Sequence, residues 1–151
     1  MNKIYYLGLA IILLSANTSL GQSAPPPMAA PDKNNTLLID KIIEITDHEQ
    51  YFVDYCTKKV KRHGAENNWS EEKTKEILGS IRFKYYNSTI YNSFAFYSTG
   101  QLQTLVNALE ALRKDKQFEQ PFILTNSMMQ NNLELFVENL IDGKYLTKKN
   151  K

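Results

Sequence analysis

The chain has one cysteine, two histidines and six glycines in 151 residues. A lone cysteine excludes an internal disulfide framework. Cys56, His48 and His63 are together too few for a four-ligand structural zinc site. Their spacing also matches no three-ligand catalytic metal motif, so no metal and no other cofactor is expected. Gly64, Gly79, Gly100 and Gly143 stand alone, which leaves no glycine-rich phosphate loop. The nucleophile elbow G-x-S-x-G and the zinc motif H-E-x-x-H are missing as well. Neither sign of charge dominates. Eighteen basic and 16 acidic side chains give a net charge of +2, which argues against nucleic-acid binding driven by bulk electrostatics. Past the N-terminal stretch, no apolar run reaches the roughly 20 residues of a membrane span.

What is present divides the chain into four parts. Lys3, followed by the apolar run of residues 4–14, has the layout of a signal peptide. Ser19 and Gly21 supply small residues at the −3 and −1 positions, so residues 1–21 are expected to be removed before Gln22. No cysteine lies near that point to carry a lipoprotein anchor. Residues 22–36 are rich in Pro, Ala and polar groups and read as a flexible linker. Residues 37–143 carry the folded domain, and residues 144–151 form a Lys-rich tail, expected to fray. The protein is therefore expected to be exported, soluble, and periplasmic or extracellular.

Within the domain, apolar residues recur at helical spacing and no strand alternation is sustained. Leu38, Ile39, Ile42, Ile43 and Ile45 mark a first helix. Asp47 has the pattern of an N-cap, with Gln50 completing a capping box, and Gly64 reads as the next stop. Residues 37–62 fit either two helices or one kinked helix. Ser70 restarts a helix whose first turn carries Glu71 and Glu72. Asn87-Ser88-Thr89 opens a short helix through Ile90, Phe94 and Tyr97, although the β-branched and aromatic content also allows an extended strand. Ser98 and Gln101 form a capping box, with Tyr97 and Leu102 as its hydrophobic staple. A long helix follows through Leu105, Val106, Leu109 and Leu112. Pro121 suits a first helical turn. Met129, Leu133, Phe136, Val137 and Leu140 define the last helix, stopped by Gly143. The expectation is an all-α domain: a single compact bundle of about five or six amphipathic helices.

The least ordinary feature is aromatic. Phe83, Tyr85, Tyr86, Tyr91, Phe94, Phe96 and Tyr97 fall within fifteen residues. Seven rings on one stretch cannot all face one core, so some are expected at the surface or against a partner. Tyr86, Tyr91 and Tyr97 are the candidate partner contacts. Cys56 and His63 are seven positions apart, about 10 Å along a continuous helix, too far for a direct hydrogen bond. Three functions follow, in order of preference. The first is a non-enzymatic binding or interaction protein of the cell envelope. The second is a carrier holding a small apolar ligand between helices, in a cavity lined by Phe94, Phe96, Leu105 and Met129. The third is an enzyme using Cys56 or a histidine.

The segment carrying Phe96, Tyr97, Thr99, Gln103 and Leu105 resembles the signature of a family of exported bacterial all-helical proteins, a domain of unknown function. Its usual pattern is Phe-Tyr-x-Ser/Thr-Pro-x-Gly-Gln-Lys-Leu. Gly100 stands where that pattern has Pro, and Leu102 where it has Gly. The resemblance spans most of residues 37–140. It implies an all-α envelope protein and supplies no catalytic residues.

Overall fold

A computed structural model describes residues 32–114 and 123–146. Pro121, expected in a helical first turn, lies outside the described residues. Among those residues the fold is all-α. Six helices run in the order α1 (Lys33–Ile45), α2 (His48–Glu66), α3 (Glu71–Leu78), α4 (Asn87–Ser93), α5 (Thr99–Lys114) and α6 (Ser127–Ile141). A 3-10 turn, Phe83–Tyr85, precedes α4, and no strand occurs among the described residues. The extended alternative for residues 89–97 is thereby removed.

Local chemistry explains most boundaries. Asp32 caps α1 by accepting from the Asn35 amide, so the helix begins at Lys33. Residues 33–36, expected in the linker, therefore belong to α1. Residues 37–62 are two helices. The break falls at Thr46 and at Asp47, a non-glycine residue in the left-handed region at φ 48°. That backbone prevents the expected capping box: the Asp47 side chain caps nothing, and Gln50 donates to the Asp54 carboxylate instead. Gly64 does not end α2, which runs to Glu66. Asn68, at φ 51°, provides the left-handed turn, and the Trp69 amide returns to the Gly64 carbonyl at 2.9 Å. Gly64 has a different task. A Cβ there would lie 3.2 Å from Thr74 Oγ1 and 3.4 Å from Trp69 Cε3, so its absence lets the chain fold back onto the helix. Ser70 caps α3 as expected, accepting from the Lys73 amide at 3.2 Å. Gly143, at φ +73°, ends α6 in the same manner as Asn68 ends α2.

The packing follows an order the chain does not announce. α1 lies chiefly against α5, and more lightly against α2 and α4. α2 packs on α6 and α3, and α4 packs on α6. α1 and α5 run parallel. Asn35 and Thr99 meet at their starts, Lys41 pairs with Glu110 midway, and Arg113 donates to the Glu44 and Ile45 carbonyls at the end. Arg113 thus places a cation at the C-terminal carbonyls of α1, where the helix dipole favours positive charge. The core between the helices holds Ile39, Ile42, Phe52, Val60, Leu102 and Leu140, all at most 1% exposed. Residues 144–146 do not belong to the frayed tail expected from residue 144. Tyr145 stacks on Phe136 at 4.6 Å and on Tyr85 at 5.3 Å, so residues through Leu146 pack with the domain.

His48 is buried at the start of α2, with its ring edge-on to Tyr51 at 5.9 Å. Burial holds its imidazole below the ordinary value, because the cation would lose its hydration. The unfolded chain protonates His48 near about pH 6.5. His48 therefore leaves stability constant above that value. Stability should fall as pH drops below it, by at most about 1.4 kcal/mol per pH unit. Glu134 and Glu110, both held low by their partners, act in a more acidic window. Urea titration at about pH 7 and about pH 5 should show this loss, and His48→Gln should flatten it. An unchanged slope in His48→Gln would contradict the assignment.

Candidate functional site

The aromatic segment is divided between core and rim by the turns that build it. Phe83 opens the 3-10 turn and meets Phe52 edge-on at 5.5 Å. Tyr86 follows three residues later and stacks on Phe52 at 5.1 Å and 19°. Phe136 of α6 reaches the same Phe52 ring at 5.1 Å. Tyr86 is 3% exposed, and its hydroxyl donates to the Met129 carbonyl at 2.8 Å. Burial pushes that hydroxyl up to about 12. Tyr86 is thus a core residue joining α4 to α6 and does not offer itself to a partner.

Tyr91 stands at the rim. Its hydroxyl donates to the Asp40 carboxylate and ties α4 to α1. Partial burial, with that bond, pushes it up to about 12. Tyr97 is 44% exposed and meets the buried Phe94 edge-on at 5.4 Å. Phe96, between them, is 90% exposed. Of the three tyrosine candidates, then, only Tyr91 and Tyr97 are at the surface. The most exposed ring of the segment, Phe96, is one of those expected to line the carrier cavity. The expected carrier cavity is not assembled. Phe94 and Met129 belong to the core while Phe96 points away from it.

The Phe96 turn is held from both sides. α4 ends at Ser93, short of the expected Tyr97, and the Phe94 to Tyr97 turn closes with a 3.0 Å bond from the Tyr97 amide to the Phe94 carbonyl. Ser98 and Gln101 form the expected reciprocal box: the Ser98 amide donates to Gln101 Oε1 at 2.8 Å, and the Gln101 amide to Ser98 Oγ at 3.3 Å. Asn35 of α1 clasps the same turn. Its Nδ2 donates to the Tyr97 carbonyl at 3.2 Å, and Thr99 Oγ1 donates to its Oδ1 at 2.7 Å. Nothing in the sequence pairs Asn35 with residues more than sixty positions away.

A second polar constellation was not legible beforehand. Tyr55 Oη donates to Glu134 Oε1, which also accepts from Lys59 Nζ at 2.9 Å. Gln130 Nε2 donates to the Tyr55 hydroxyl at 3.1 Å. The Tyr55 bond, then Lys59, hold Glu134 below the usual carboxylate range, and Glu134 raises Lys59. Tyr55 and Lys59 are one turn apart on α2, so half the cluster is visible as a helical pair. The other half comes from α6. The arrangement fastens α2 to α6.

Cys56 is fully buried, and burial pushes its thiol up to about 12. A thiol so placed lacks the thiolate that nucleophilic or disulfide chemistry requires. Cys56 and His63 lie on the one continuous helix α2, and His63 meets Trp69 edge-on at 5.1 Å. Among the described residues, no three His, Cys, Asp or Glu side chains converge closely enough to hold a metal ion. None of their helices is long and apolar enough to cross a membrane. No family model, curated protein or solved structure matches the chain.

Proposed function

We propose that this chain is an exported, non-enzymatic interaction protein that engages a protein partner through the Phe96–Tyr97 turn. The observation that carries the reading is Phe96, a large ring 90% exposed on a turn braced by its own helix cap and by Asn35. An exposed aromatic ring on a fixed backbone is a ready anchor, because little freedom remains to be lost on binding. Tyr97 adds a second amphipathic ring beside it. The Lys3-led apolar stretch and the resemblance of residues 96–105 to exported helical envelope proteins support export.

A photo-crosslinking residue at position 96, in cells making the full chain, tests this. It should yield one discrete protein adduct containing the chain from Gln22 onward, absent when the probe sits at the exposed Lys61. Phe96→Ala should lower recovery of that partner at least about tenfold while the melting temperature holds, as expected for loss of an anchor. No adduct, or undiminished recovery with Phe96→Ala, would remove the proposal.

A further inference from the structure

Two stretches of the sequence, residues 85–109 and residues 120–133, contain no Asp, Glu, Lys, Arg or His. The fold brings them together. α4 packs on α6, Tyr86 Oη donates to the Met129 carbonyl, and Asn132 Nδ2 donates to Thr89 Oγ1 at 3.4 Å. A chain that is 23% charged thus has a face without formal charge where α4 meets the first half of α6. On that face α6 turns an apolar pair outward. Met128 and Leu135 are 40% and 53% exposed and lie two helical turns apart on one side of the helix. Asn131 and Asn132, midway between them, are exposed as well. The intervening Glu134 is turned toward α2, where Lys59 pairs with it at 2.9 Å.

We infer that α6 pairs antiparallel with α6 of a second copy of the chain, about a two-fold axis beside Asn131 and Asn132. An axis there sets Met128 of each copy against Leu135 of the other, so one operation covers all four apolar side chains. It also brings residues near it against their own kind. A charge in that place would meet a like charge, whereas an Asn amide carries both donors and an acceptor and matches a copy of itself. Farther out, the register carries Glu138 of one copy to the start of α6 in the other, beside Ser127, where the helix dipole favours a carboxylate. The two Glu138 side chains then stand about 20 Å apart along the helices, at 1.5 Å per residue. Parallel pairing would instead set Glu138 against Glu138 and Asp142 against Asp142. The exposed Leu37 of α1 lacks this setting, because Asp40 and Lys41 follow it one turn on. Two anchors per copy make a small contact, in the class under about 1,200 Å², so a dissociation constant of about 10 μM to 1 mM is expected. The contact does not use Phe96.

The test is sedimentation equilibrium of the chain as cells produce it, from about 1 μM to about 1 mM, the span that brackets the expected constant. A reversible dimer should appear within it. Met128→Lys and Leu135→Lys should each weaken that dimer about tenfold or more, while melting of the dilute monomer is unchanged because both side chains are at the surface. Leu37→Lys should leave it intact. Direction is read by oxidation. A mixture of Met128→Cys and Leu135→Cys chains should form the mixed disulfide faster than either chain alone forms its own, with the buried Cys56 silent. A chain still monomeric at about 1 mM would overturn the inference and leave this face to a different protein. So would a dimer that both lysine variants spare, one that Leu37→Lys weakens equally, or faster crosslinking between like positions.

Discussion

Phe52→Ala should lower the free energy of unfolding by about 3–5 kcal/mol, the range for removing a fully buried ring. Phe52 is 0% exposed and touches Phe83, Tyr86 and Phe136, rings from the 3-10 turn, the start of α4 and α6. Truncation removes apolar burial and leaves a cavity that four separate segments would have to move to fill. It also frees Tyr86, whose hydroxyl needs the Met129 carbonyl within reach. Against a typical total of about 5–15 kcal/mol, the variant would sit near the folding threshold. Urea or guanidinium titration by circular dichroism measures the loss. A change below about 1 kcal/mol would show that these rings do not meet around Phe52 as described.

Leu102→Ala is the second large effect expected, at about 2–5 kcal/mol. Leu102 is 0% exposed on the first turn of α5, the helix that packs most extensively on α1. Its loss opens a void in the α1–α5 interface, which the polar clasp at Asn35 and the surface pair Lys41–Glu110 cannot offset. The conservative Leu102→Met should cost less than about 1.5 kcal/mol, because volume is nearly kept. If alanine and methionine prove equally mild, Leu102 does not lie between the two helices.

How far the residues announced this fold depends on the range of each interaction. The Ser98–Gln101 box, the Ser70 cap and the Gly143 stop were all legible, since each is written within a few neighbouring positions. So was the apolar stripe of α5, where Leu102, Val106 and Leu109 are buried. The Asp47 cap failed because the break between α1 and α2 forces a left-handed backbone there, an outcome that composition does not encode. Gly64 looked like a stop because glycine ends many helices, but here a tryptophan folding back requires the space. Tyr86 and Phe96 were misplaced for one reason. Ring identity carries no direction, and the turns at residues 83–86 and 94–97 decide which rings point inward. The Tyr55–Glu134–Lys59 bonds and the Asn35 clasp join elements 62 to 79 positions apart, beyond any local pattern.

The parallel pairing of α1 with α5 has a temporal side. Asn35 is separated by 62 and 64 positions from the residues that clasp it. At about 5–20 residues per second of synthesis, roughly 3–13 seconds pass before those residues exist. Throughout that interval the oily stripe of Ile39 and Ile42 lacks the neighbour that later covers most of it. A nascent polypeptide in this condition is a natural client for holding chaperones, and its compaction is paced by the arrival of its middle.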